Sequence, residues 1–244
     1  MTDMTPVLQL GDRTITAEEI VPLISNYQLL PRLLFELIID RAIASFTCTP
    51  EEAKSAYQQF CQKNQITTET ERQAWLEMNP MTLEQLKALA TRDLKIEKFK
   101  QATWGSKLES YFIERKSQLD KVLYSLIQTQ DLAAQELYFQ IQEGEADFAL
   151  LARKYSQGAN AEIGGLIGPI ELSSCHPIIG KMLSVSQPGQ LWSPTAVGEW
   201  LVIVRLERFI PAQLDDLMRQ RLLSELFASW LQQQFNQLGS VRVG

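Results

Sequence analysis

The strongest constraint on this fold is a change of pattern at Lys121, before which the chain reads as helix after helix and after which short apolar runs alternate with turns. The helix starts are explicit. Thr16-Ala17-Glu18-Glu19 has the capping-box pattern, and the helix it opens is expected to reach about Leu30. Thr49-Pro50-Glu51-Glu52 joins a capping threonine, a proline suited to the first helical position and a glutamate able to reach back to the cap amide. Thr68 opens another helix, Asn79-Pro80 closes it, and Thr82-Leu83-Glu84-Gln85 starts a long one through Leu86, Leu89, Leu94, Ile96 and Phe99. Leu33, Leu34, Leu37, Ile38 and Ala42 repeat at the spacing of a helix largely buried among others. Apart from an extended segment at Val7 to Leu10 with its turn at Gly11-Asp12, residues 1–118 are expected to be all helical, kinked at Trp104-Gly105.

After Lys121 the order reads β-α-α-β-α-β-β. Val122 to Ile127 is a short apolar strand, Asp131 can cap a helix that Gly144 ends, and Phe148, Leu151, Ala152 and Tyr155 mark a second helix. Ser156 to Gly165 is a loop of small residues, Leu166 to Leu172 a strand, and Pro177 to Val185 a helix that His176 introduces. Leu191 to Ala196 and Trp200 to Leu206 are the last strands. A final amphipathic helix from Pro211 carries Leu214, Leu217, Met218, Leu222, Leu226, Trp230 and Phe235, too apolar on one side to stand free in water. The expected class is therefore α+β: a helical module over residues 1–118, a small four-stranded sheet flanked by helices over 119–209, and a last helix, 210–244, docking on the helical module.

Composition removes several function classes. The net charge of -6 is spread without basic runs, so neither nucleic acid nor an anionic membrane is an expected partner. The start of the chain lacks a basic and apolar leader pattern, the most apolar run, Leu29 to Phe46, is broken by charges, and the cysteines Cys48, Cys61 and Cys175 lack paired spacing. Those features read as a cytoplasmic protein without membrane insertion. His176 is the single histidine, which excludes a multi-histidine zinc site. Cys175-His176 does not make a nucleophile and base, because adjacent residues point apart and no acid is identifiable to orient the imidazole. Trp75, Trp104 and Trp230 lie on helical apolar stripes and read as core.

Several of these residues resemble the parvulin family of prolyl isomerases. Gly144, Phe148, Ala152, Tyr155 and Ser156 match its pattern before the active-site loop, Gly164-Gly165-Leu166-Ile167-Gly168 resembles its Gly-Gly-x-Leu-Gly, and Gln187-Pro188-Gly189-Gln190 with Pro194 resembles its turn into the third strand. The helical half is similar to the SurA-like and trigger-factor-like foldases. The resemblance implies a peptidyl-prolyl cis-trans isomerase acting on unfolded or proline-containing polypeptide, with no metal or cofactor. It also places the site. Ser125 falls where the family has its first histidine, with Tyr124 there if the register slips by one; Gly158 falls at its Cys or Asp, and Trp200 at its second histidine. Ile167 matches its pocket leucine, Cys175 and Ile179 stand for its usual Met and Phe, and Trp192 lies near the same pocket. Ser125 and Tyr124 are thus the candidate catalytic donors, and Ile167, Cys175, Ile179, Trp200, Gly158 and Trp192 the candidate substrate-binding residues. An apolar pocket without the usual histidines implies low activity, or else a non-catalytic peptide-binding chaperone or adaptor that keeps the fold.

Overall fold

The computed structural model describes residues 6–130 and 133–239. The chain divides into two compact units, residues 1–108 with 219–244, and residues 109–218.

The first unit begins with an antiparallel hairpin, β1 (Pro6–Leu10) and β2 (Arg13–Thr16). The extended segment and its turn were legible, whereas β2 corrects the all-helical expectation: Gly11 at φ +57 turns the chain back onto itself. Helices α1 (Ala17–Asn26), α2 (Leu30–Ile43), α3 (Pro50–Lys63), α4 (Glu69–Met78) and α5 (Leu83–Trp104) follow. Helix α1 stops short of the expected Leu30. Gln28 at φ +56 makes the break, and Pro31 then sits in the first turn of α2, where its missing amide is not needed. The caps of α3, α4 and α5 are full capping boxes; at α3, Thr49 Oγ1 accepts from the Glu52 amide at 3.2 Å while Glu52 Oε2 accepts from the Thr49 amide at 2.8 Å. At α4, Glu71 accepts from both Thr67 and Thr68, which holds its carboxyl down to about 2.

Gly105–Lys107 is a turn of 3-10 helix, the expected kink, and α6 (Leu108–Leu119) leads into the second unit. There β3 (Lys121–Thr129), α7 (Ala134–Gln142), α8 (Phe148–Tyr155), β4 (Leu166–Glu171), α9 (Pro177–Ser184), β5 (Leu191–Val197) and β6 (Trp200–Ile210) reproduce the expected order. Asp131, the expected cap of α7, lies outside the described residues. The strands form one antiparallel sheet in the order β4-β3-β6-β5. Pro194 sits on the edge strand β5, where the ladder to β6 shifts between Trp192 and Thr195 and no amide is needed. Residues alternate along β6 from Val202 to Leu206, before the extra residue Glu207 interrupts its ladder with β3. Val202, Val204 and Leu206 meet Ile179, Met182 and Leu183 of α9 on one face, while Ile203 meets Leu137, Phe148, Leu151 and Ala152 of α7 and α8 on the other.

The last helix, α10 (Asp216–Gln237), starts later than Pro211. Asp120 Oδ1 accepts from the Ala212 amide at 2.7 Å and keeps that stretch out of the helix, and Asp215 caps the helix by accepting from the Met218 amide at 2.8 Å. Within the first unit α10 packs on α5 through Phe227 and Trp230, which meet Phe99 at 6.1 and 5.0 Å between ring centroids. Phe235 stacks on Phe35 of α2 at 4.4 Å. Arg92 of α5 ties in α2 through Glu36 at 2.7 Å and Asp40 at 2.8 Å.

Candidate functional site

Period-two alternation along β3 sets which side chains face α9, and the bulge in its ladder with β6 falls on β6 at Glu207. Tyr124 and Leu126 join that face, and Ser125 goes to the opposite one. The two candidate donors are therefore separated. Ser125 is buried and donates to Glu207 Oε1 at 2.6 Å, an oxygen that also accepts from Arg205 at 2.8 Å. With its hydroxyl committed to a carboxylate on the far side of the sheet, Ser125 does not line the cavity on the α9 face.

On the α9 face, β3, β6, the β5–β6 turn and α9 enclose a cavity of about 280 Å³. It is lined by Leu126, Gln128, His176, Ile179, Val197, Gly198, Trp200 and Val202. Its base is aliphatic, Trp200 forms an aromatic wall, and the polar lining comes from Gln128 and His176. Such a site suits a small apolar ring joined to a peptide backbone. Hollows of about 580, 700 and 600 Å³ among the helices of the first unit are larger, but Lys63, Arg92, Asp93 and Glu97, Arg32 and Glu36, and Glu69 and Arg72 line them, which suits an apolar ring poorly.

Of the six candidate substrate-binding residues, Ile179 and Trp200 line this cavity. Ile167 and Cys175 pack on the cluster beneath it beside Tyr124. Trp192 packs there too, its indole N–H donating to Ser186 Oγ at 2.7 Å, outside the lining. Gly158 lies in the loop beside Gln128, where a Cβ would stand 3.3 Å from Gln128 Oε1. Leu126, Gln128, Val197, Gly198 and Val202 were not foreseen, although reading every second residue from Tyr124 and from Trp200 finds Leu126, Gln128 and Val202. His176 is the expected helix-start residue, its Nδ1 accepting from the Ile178 amide at 3.4 Å, and it also reaches the cavity.

Tyr124 and Cys175 hydrogen-bond through their side chains. Burial first, and then the neighbouring thiol, push the Tyr124 hydroxyl up to about 12. Burial also raises the Cys175 thiol, against a smaller lowering by Tyr124, so it stays protonated and unreactive. Because the fold holds the Tyr124 proton more tightly than the unfolded chain does, its contribution to stability is complete below the ordinary tyrosine value and is lost as pH rises toward about 12. In an alkaline ultraviolet titration, Tyr124→Phe is expected to lack a phase centred near pH 12; an unchanged last phase counts against this burial.

Among the described residues no cluster of three His, Cys, Asp or Glu could hold a metal, and no helix is long and apolar enough to cross a membrane.

Residues 124–208 match the Rotamase family, the PPIC-type PPIASE domain. The chain carries a parvulin-type peptidyl-prolyl isomerase domain. Its fold is similar over the whole chain to the crystal structure of the peptidylprolyl isomerase PrsA from Bacillus cereus, at 17% identity and TM-score 0.52, covering 100% of this chain and 95% of that one. PrsA from Bacillus anthracis matches at 18% identity and TM-score 0.45, covering 87% and 99%. A SurA-like chaperone of Campylobacter jejuni matches at 16% identity and TM-score 0.38, covering 98% and 99%. No curated protein matches the sequence.

Proposed function

We propose that this chain is a weak prolyl isomerase and foldase for unfolded polypeptide, gripping the proline ring in the cavity of Leu126, Ile179, Trp200 and Val202. That cavity is the observation that carries the reading. Rotation of the X-Pro bond faces a barrier of about 20 kcal/mol and needs no covalent chemistry. Moving the bond from water to an apolar wall favours the less conjugated, twisted amide, and a 10⁴-fold acceleration requires only about 5.5 kcal/mol of preferential binding. Activity is low because the hydroxyl and thiol nearest the base, Tyr124 and Cys175, are turned to each other rather than lining the cavity. The same observation favours the second reading, a peptide-binding chaperone or adaptor without catalysis. In the first reading residues 119–209 act on proline, and residues 1–118 with 210–244 hold the client. A cytoplasmic location belongs to it as well, supported by the unpaired thiols Cys48, Cys61 and Cys175.

The test is exchange NMR of an X-Pro peptide at high protein concentration, with the Trp200 indole signal reporting binding. Wild type is expected to accelerate exchange, and Ile179→Asn to weaken binding about tenfold, a loss of about 1.4 kcal/mol. Binding without acceleration leaves the chaperone reading, and no shift at Trp200 removes both.

A further inference from the structure

A donor at the twisting bond would add to what desolvation supplies, and Ser125 and Tyr124 are both committed elsewhere. Gln128 can supply one. Its backbone is fully engaged: the amide donates to Ser156 Oγ at 3.1 Å and the carbonyl accepts from the Gln157 amide at 2.7 Å, pinning the end of β3 to the loop. The half-buried side chain is then directed into the cavity wall, and its amide makes no hydrogen bond with any described residue. Room for it depends on Gly158, where even a methyl group would crowd Oε1 at 3.3 Å. The other polar lining group, His176, is exposed and uses Nδ1 to cap α9. An unpaired amide held at the mouth of an otherwise apolar cavity is a poor structural element and a suitable catalytic one.

We propose that Gln128 is a catalytic residue of the isomerisation, its Nε2–H donating to the prolyl nitrogen as the bond twists. In the planar amide that nitrogen's lone pair is delocalised into the carbonyl and accepts weakly. When the bond turns, conjugation is lost, the nitrogen becomes pyramidal and its lone pair becomes a hydrogen-bond acceptor, so the bond with Gln128 is stronger in the transition state than in either ground state. No bond to the substrate forms or breaks and no proton is transferred. The inference rests on the isomerase reading above and names the group that would perform it.

The experiment compares wild type, Gln128→Leu and Gln128→Glu by exchange NMR at saturating X-Pro peptide, with affinity followed separately through the Trp200 indole. Leucine removes every polar atom, and glutamate keeps the shape and acceptor oxygens but lacks the donor. Both variants are expected to turn over at least about tenfold more slowly with affinity within about twofold of wild type, as befits a contact made only in the transition state. Gly158→Ala, whose added methyl group shifts the Gln128 amide by a few tenths of an ångström, is expected to lower turnover in the same direction. A wild-type rate in Gln128→Leu, or a loss wholly accounted for by affinity, overturns the role of Gln128 and leaves an isomerase that works by desolvation. A wild type that binds peptide without accelerating exchange overturns the isomerase reading and this inference together.

Discussion

Gly165→Ala is expected to destabilise the unit of residues 109–218 by about 2–6 kcal/mol, adding the cost of a strained backbone to that of overpacking. Gly165 has φ +78, and a Cβ there would stand 2.4 Å from the Leu126 carbonyl oxygen and 3.1 Å from Ala152 Cβ. Neither obstacle is the movable end of a side chain. The Leu126 amide donates to the Gly165 carbonyl at 2.9 Å, so retreat of the loop breaks the contact that continues β3 into it. Ala152 is fully buried in α8, so retreat of the helix opens the core around Phe148 and Leu151. Gly144→Ala is the control, since Gly144 has φ +72 with nothing within 4 Å of an added Cβ and should lose only about 1 kcal/mol, the cost of the left-handed conformation. Urea titrations followed by methyl NMR of the sheet would measure both. Equal midpoints for the two variants would mean that the loop yields freely, and the close approach would not be a constraint.

The difference between those two glycines shows what could be read from the sequence. The Gly164-Gly165 turn was visible as a pattern, but the Leu126 carbonyl that makes alanine intolerable is brought there by strand pairing. Helix starts were legible at Thr16, Thr49, Thr68 and Thr82 because a capping box is complete within four residues. The start of α10 was misplaced because Asp120, distant in sequence, holds the Ala212 amide and keeps Pro211 to Asp215 out of the helix. Within the site, Ile179 and Trp200 were placed by the resemblance to the parvulin pattern, and both line the cavity. Ser125 and Tyr124 could not be told apart because strand period is two and a shift of one residue in the register exchanges the faces; the structure puts Tyr124 on the α9 face and Ser125 on the other. Gln128 was overlooked because an amide at a strand end is unremarkable until its neighbours show that nothing satisfies it.

Phe148→Ala is expected to cost about 3–5 kcal/mol while leaving peptide affinity within about twofold of wild type in the folded protein. Phe148 is 1% exposed at the start of α8, packed with Leu151 and Ala152 against Ile127 and Ile203. The Arg205 guanidinium lies 4.9 Å from its ring centroid, so truncation removes a cation-π contact as well as a core filler. Arg205 keeps its ion pair with Glu207, and Ser125 its bond to the same carboxylate, so no buried charge is left alone. The loss is therefore one of packing on the α7–α8 face. The cavity uses the other face, where Leu126, Val202 and Trp200 depend on α9, and the close-packed β3 and β6 separate the two layers. Thermal unfolding of this unit should move down by more than about 10 °C, while the Trp200 indole shift on adding peptide should saturate at nearly the same concentration. If affinity falls in step with stability under conditions where the variant is fully folded, the faces are coupled through the sheet, and α8 shapes the proline pocket as much as α9 does.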